Sequence, residues 1–424
     1  MIDTFVRKLR IVFEDATLRN RILFVLGALI VTRLLAAIPV PGVDTATLEN
    51  FLNSNQFLGL LNVFSGGGFS TLSVVMLGVG PYITASIVMQ LMTIIFPSLK
   101  EIYQEEGEAG RARFTQYSRY LTVPLAFIQS IGFILLLQQN GALPHLTPIQ
   151  LFVNIMVASA GSILLMWIGE LISEFGVGNG ISLLIFAGIV ARIPRDLSQS
   201  FLAFDMSQIP EYILFVAVAL LITAGVVYIS EAERPIPVTY ARRVRGSQVM
   251  GGTSTYLPLR VNQAGVIPIV FALSFLLFPQ MAATFFAHSK IVMLATFSTK
   301  VVALINNQWF YGIAYFVLVF VFTYFYTAIT FEPHQVSKNL QRGGAFIPGI
   351  RPGAQTTEYL GNVVTHITLV GAVFLAVLAV VPIILRNITG ITSLTIGGTA
   401  LLIVVSVVLD VIKKIDAQTS IREY

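Results

Sequence analysis

Chemistry in a chain this apolar is limited to the few ionisable or nucleophilic groups it carries. There is no cysteine, which excludes thiol nucleophiles, disulfides and Cys-ligated metals. The four histidines, His145, His288, His334 and His366, are too far apart for a helical metal motif. Only Arg33, Glu170, Glu174, Glu231 and Asp410 are charged within or beside apolar runs. A proton relay or an ion-coupled carrier needs such groups at mid-membrane. Glu174, Glu231 and Asp410 instead fall near the ends of their runs, and Glu170 lies within a turn or two of one. Arg33 is close enough to an end for its long side chain to snorkel. All five read as interface anchors or paired charges. The glycine-rich Gly176–Gly180 stretch, GVGNG, lacks the Lys-Ser/Thr of a phosphate loop and reads as a turn between helices. No acid–base or nucleophile–base pair can be assembled, so neither an enzyme nor a cofactor is expected.

These residues must be positioned by membrane-crossing elements. The 424 residues are 55% hydrophobic and 11% charged, with a mean hydropathy of +0.82, whereas soluble domains carry about 25% charged residues. Apolar runs predict ten spans, near 22–38, 72–96, 120–137, 151–172, 181–193, 212–230, 264–286, 309–330, 363–385 and 394–412. Segments on the side of the N-terminus hold 20 Lys and Arg against five on the other. That bias places both termini in the cytoplasm. Met1 to Arg21 is polar and basic, reading as an interfacial helix and not as a signal peptide. The net charge of +5 suits anionic lipid or an acidic partner. The expected fold class is an all-α polytopic membrane protein. A division into a 1–205 half and a 206–424 half would give five helices each, of opposite orientation.

One stretch departs from simple spans. Asn62–Met92 is nearly uncharged but too long for one crossing, and it is interrupted by Gly66–Gly68 and by the Gly78–Pro81 step. It predicts a re-entrant half-helix, a break and a full helix. Broken backbone in a bilayer needs protein or a water-filled cavity around it, so this stretch should line a path. Ile83 and Ile87, then Ile185 and Ile189, share helix faces at four-residue spacing. Such pairs serve either as packing or as an apolar ring that keeps a pore dry. Two long inner loops, about 231–263 and 331–362, carry Arg242, Arg243 and Arg245 and, between Pro and Gly breaks, Arg351. The first predicts a hairpin from strands around 236–240 and 255–259. Docking of a large anionic partner is the functional reading, and solvated connectors the bland one.

Five segments carry a family resemblance: GVGPYITASIVMQL (Gly78–Leu91), GELISEFGVGNGISLLIFAGIV (Gly169–Val190), LPLRVNQAGVIPIVFA (Leu257–Ala272), GAFIPGIRPG (Gly344–Gly353) and GGTALLIVV (Gly397–Val405). In these the chain resembles the SecY family, channel subunits of bacterial protein translocases, over essentially its whole length. The resemblance implies ten transmembrane helices in two inverted halves. It also implies a lateral opening to lipid between the second/third and seventh/eighth helices, in the stretches Ile87–Leu91, Leu121–Ser130, Ile269–Leu276 and Gly312–Phe320. Carried over by position, the pore ring comprises Ile83, Ile87, Ile185, Ile189, Val270 and Ile403, with the alignment of the middle pair open to a one-turn shift to Ile181 and Ile185. Val270 stands where relatives often have isoleucine. The half-helix Asn62–Ser73, with Phe64, Ser65, Gly66, Gly67 and Gly68, becomes a plug. Implied partners are SecE-like and SecG-like subunits, the SecA motor ATPase, the ribosome, secretory precursors with their signal sequences, and membrane lipid. Motor or ribosome docking falls to Arg242, Arg243, Arg245 and Arg351. A secondary transporter for a small solute is the rival reading, weakened by the missing midplane charges and by the large inner loops.

Overall fold

The computed structural model describes residues 14–40, 72–104, 106–139, 143, 146–194, 198, 209–240, 243–245, 248–250, 254–287, 292–389 and 393–420. The plug positions Phe64 to Gly68, and Arg242, lie outside them. The described residues begin with helices α1 (Ala16–Ala36), α2 (Gly80–Ile95), α3 (Pro97–Gln104), α4 (Gly107–Gln139), α5 (Pro148–Phe175) and α6 (Gly180–Val190). Next come α7 (Ile209–Glu231) and four strands, β1 (Glu233–Tyr240), β2 (Arg243–Arg245), β3 (Gln248–Met250) and β4 (Ser254–Arg260). The chain continues through α8 (Ile267–Ala287), α9 (Val292–Asn306), α10 (Gln308–Thr330), α11 (Pro333–Arg342), β5 (Ala345–Phe346), α12 (Ala354–Thr389) and α13 (Ser393–Ser420).

Each predicted span coincides with a helix, yet the helices do not all qualify alone as crossings. Among the described residues five (α4, α5, α7, α10 and α12) are long and apolar enough, and α2 with α3 makes a sixth if that pair, bent by 117°, counts as one. The 11 residues of α6 rise only about 16 Å, half of a ~30 Å hydrocarbon core. In α1 the charged residues Arg19, Arg21 and Arg33 dilute the apolar run. Three described helices fall where the sequence predicted loops. One is α3, between the second and third expected spans. Another is α9, in the segment between the α8 and α10 spans, and the third is α11, which starts at Pro333 and is capped by Gly343.

Helix starts follow local capping chemistry. Asp15 accepts from Thr17 N at 2.8 Å at the head of α1. Thr147 and Gln150 form a reciprocal capping box before α5, with Pro148 in the first turn. Asn307 accepts from Trp309 N at 3.0 Å to start α10.

The break in the first half lies where the sequence predicted it. Residues 72–79 form successive turns, with positive φ at Leu72 and Gly78, and α2 begins at Gly80 with Pro81 in its first turn, where no amide proton is needed. Leu72, Ser73, Val75, Met76 and Val79 are all buried, so protein surrounds this irregular backbone. Ser162 on α5 donates to the Gly78 carbonyl at 2.9 Å. Gly161 lets α5 approach so closely that a Cβ there would overlap the Val74 carbonyl oxygen.

The two long loops fold as one unit. β1 pairs antiparallel with β4, from Glu233↔Arg260 to Thr239↔Ser254, and its far end pairs with β5 through Thr239↔Phe346 and Tyr240↔Ala345. Ile236, Val238 and Leu259 from the first loop, Ala345 and Ile347 from the second, and Leu360, Val363 and Ile367 of α12 make a small separate core. β2 and β3 form a second, two-stranded sheet.

Within the bundle α2, α4, α5 and α6 pack in sequence, with α1 against α5 and α6. α8, α10, α12 and α13 pack likewise, with α7 against α13. Substantial helix contacts between these two groups run from α8 to α2 and α4, and from α13 to α6.

Candidate functional site: a cavity between the two helix groups

A cavity of about 520 Å³ lies where α2, α6, α8 and α13 converge. Each helix contributes an aliphatic side chain to its wall: Ile83, Ile185, Val270 and Ile403. Four of the six ring residues expected from the sequence therefore meet at one place. The other two, Ile87 and Ile189, are each 5% exposed and pack in the main core beside them without lining the cavity. One turn earlier on α6, Ile181 does line it, so on this helix the Ile181/Ile185 pair faces the cavity. A second, smaller space of about 30 Å³ is lined by Thr32, Arg33, Val75, Gly78, Val79, Leu184, Ile185 and Gly188. Ile185 is common to both spaces, so this single side chain stands between them.

Local sequence explains how α6 is held. The Gly176–Gly180 turn has Gly178 at φ 100°, a conformation costly for other residues. Asn179 caps α6 by accepting from Ser182 N at 3.2 Å, and Ser173 accepts from Gly180 N at 2.8 Å. A Cβ on Gly180 would overlap the Gly169 carbonyl of α5. The short helix is thus fixed against α5 with Ile181 and Ile185 turned inward.

Part of the wall is polar, with Thr115 and Arg119 of α4, Glu170, Ser173 and Glu174 of α5, and Asn179 and Ser182. Arg119 Nε donates to Glu170 Oε1 at 2.6 Å. Glu231 and Asp410 are also paired, with Lys413 at 2.8 Å and Lys414 at 3.1 Å. Glu170, Glu231 and Asp410, expected as anchors or pairs, are therefore paired.

On the seam side, Phe271 of α8 lines the cavity together with Gln90 of α2 and Tyr326 of α10. Its ring meets Phe322 and Tyr326 edge-on, each at 6.0 Å between centroids. On α2 and α4, Gln129 donates to Thr84 at 3.3 Å. Gln90 and Phe271 lie in stretches that the resemblance gave to the lateral opening, whereas Tyr326 was not singled out from the sequence, since an aromatic on an apolar helix carries no one-dimensional mark of facing a cavity.

The docking candidates lie on the joined loops. Arg351 is exposed on the turn between Ile347 and Gly353. Thr356 donates to its carbonyl at 2.9 Å, and Ser337 donates to the Gly353 carbonyl at 2.9 Å. Gly349 and Gly353 take positive φ. The turn is thereby pinned, with the guanidinium left outside. Arg243 and Arg245 are on β2, at the far end of the first loop.

Residues 73–412 match the profile of the SecY family. The chain belongs to the SecY family. The protein translocase subunit SecY of Mycobacterium bovis is 41% identical over 445 residues, covering 100% of this chain and 99% of that protein. The SecY subunit of Synechocystis is 40% identical over 420 residues, covering 97% and 94%. A solved protein-conducting channel matches with a TM-score of 0.66 at 20% identity, over 96% of this chain and 94% of the other, which is a likeness of fold. The convergence of four helices on an apolar-walled cavity is thus formed by a SecY-family chain.

Proposed function

We infer that this chain is the channel subunit of a protein translocase, conducting unfolded polypeptides across a membrane. The observation that carries this reading is the 520 Å³ cavity, walled by aliphatic side chains from four separate helices. Aliphatic walls offer no specific hydrogen bonds, so they suit a chain of any sequence, and a narrow apolar collar disfavours hydrated ions. Ile83, Ile87, Ile185, Ile189, Val270 and Ile403 form the ring in this reading, with Ile181 joining at the cavity wall. Phe64 to Gly68 form the plug. Apolar segments leave sideways along the seam of α8 with α2 and α4. The gain is roughly 0.3–0.6 kcal/mol for each Leu or Ile placed at the membrane centre. The halves 1–205 and 206–424 move as the two jaws, a division supported by the few substantial helix contacts that cross it.

The membrane is the cytoplasmic one with both termini inside, a placement supported by the charge bias of the loops. The shared sheet of the two loops is the dock for a SecA-type motor or a ribosome, through Arg242, Arg243, Arg245 and Arg351. SecE-like and SecG-like subunits complete the complex. Energy comes from the partner, and the channel supplies the path.

A photoreactive residue at Ile185, with a secretory precursor stalled midway by motor and ATP, tests the path. A crosslink that depends on the stalled chain is expected. Translocation without a crosslink would remove Ile185 from the path. No translocation with any partner would favour a small-solute carrier.

A further inference from the structure

The helix α9 occupies a place that the channel reading leaves unused. β4 leads into α8, and α10 leads on to α11 and β5, so the α8–α10 connection lies at the end of the bundle away from these strands. There α9 packs against both of its neighbours. Its 15 residues rise only about 22 Å, too short to cross a ~30 Å hydrocarbon core. One side is buried, with Ser298 at 3% and Ile305 at 8% exposure, and Ile305 belongs to the main core. The outward side carries a narrow stripe. Met293, Phe297, Lys300 and Leu304 recur at intervals of four, three and four residues, which stacks them on one face. Met293, Phe297 and Leu304 are 86%, 69% and 50% exposed. Beside the stripe run Thr296, Thr299 and Ala303, which are small and exposed. The helix thus has three edges: one against protein, one apolar and uncovered, and one of small side chains that water can wet.

The chain that follows indicates what covers the apolar edge. On α10, which is long and apolar enough to cross a membrane, Trp309, Ile313, Val317 and Val321 are exposed at four-residue spacing. The outward face of a crossing helix meets acyl chains, and a tryptophan in its first turn marks the headgroup level. Leu304 lies just before that tryptophan, across the Asn307 cap, so the exposed apolar surface runs on from α10 into α9. Lys300 within the stripe fits the same level, its stem along the acyl chains and its ammonium raised to the phosphates.

We propose that α9 lies in the plane of the membrane, in the leaflet away from the loop sheet, as an interfacial anchor. Met293, Phe297 and Leu304 enter the acyl region and Lys300 holds lipid phosphate. Because α9 packs on α8, which brings Val270 and Phe271 to the cavity wall, the leaflet sets the depth of the α8–α10 pair. This rests on the membrane-spanning fold and not on the passage of polypeptide.

The lack of cysteine lets a single nitroxide be placed without background. The full chain is labelled in turn at Met293→Cys, Phe297→Cys and Leu304→Cys, at Thr296→Cys and Thr299→Cys, and at Ile313→Cys as the lipid reference, in phosphatidylethanolamine–phosphatidylglycerol vesicles. Labels on the stripe should collide with dissolved oxygen more often than with a water-soluble nickel chelate, as at Ile313→Cys, and labels at the two threonine positions should do the reverse. Preference for the chelate along the stripe would put it in water and overturn the proposal. Shielding from both probes would show that protein covers it, which overturns the proposal equally. Phe297→Trp checks this with a side chain of similar character: the emission gained over that of Trp167 and Trp309 should be quenched by lipid brominated near the headgroup. A gain that such lipid does not quench would overturn the anchor. Either failure leaves the channel reading intact, which stands or falls with the crosslink at Ile185.

Discussion

Tyr311 and Tyr315 on α10 are 5% and 1% exposed, their rings 5.9 Å apart, and neither hydroxyl has a hydrogen-bond partner among the described residues. A buried donor left unmade costs about 1–3 kcal/mol. Tyr315→Phe should accordingly raise the thermal midpoint of the purified protein, and a lowered midpoint would show that the hydroxyl does bond in the folded state. Ser162 is the opposite case, because it supplies the only side-chain bond given to the Gly78 carbonyl among the described residues. Ser162→Ala should destabilise by about 1–3 kcal/mol in denaturant unfolding, since nothing in the irregular 72–79 segment replaces that donor. Neither role could be read from the sequence. A tyrosine or serine in an apolar run is marked as unusual, but its partner, or lack of one, lies on another part of the chain.

Among the elements, the loop sheet is where sequence and structure diverge most usefully. Strand-like pieces around 236–240 and 255–259, with turn chemistry between, predicted a hairpin, and β1 and β4 form it. The link to the second loop was invisible, because a two-residue strand such as β5 has no period to detect. Short helices were lost for a similar reason. α11 is only ten residues long, although Pro333 at its start and Gly343 at its end are ordinary boundary signals. If the joined loops are one cooperative unit, Ile236→Ala, a 1% exposed side chain in the small core, should cost about 2–5 kcal/mol locally. Amide hydrogen exchange should then quicken both in β1–β4 and around 345–350, with α5 unaffected. Faster exchange confined to the first loop would show that the loops fold separately.

For the whole molecule, the central question is which structure holds back ions. The ring candidates come from four helices that pack into one core, whereas the plug candidates sit in a glycine-rich stretch of the sequence. Substituting Ile87 and Ile403 with Gly should therefore raise ion conductance in planar bilayers more than deleting residues 64–71. Equal or smaller leak in the ring variant would transfer the seal to the plug. Composition and linear pattern by themselves determined the membrane class, the position of the break before Pro81 and the hairpin. These rest on effects that act along the chain: transfer of apolar runs from water, loss of backbone donors and turn chemistry. Only the tertiary structure decided that Ile83, Ile185, Val270 and Ile403 meet at one cavity while Ile87 and Ile189 turn into the core. It alone also revealed the Arg119–Glu170 pair and the union of the two loops. Helix rotation and approach are set by close packing between distant segments, such as Gly161 on the Val74 carbonyl and Gly180 on Gly169, and no local pattern encodes which distant surface a given face will meet.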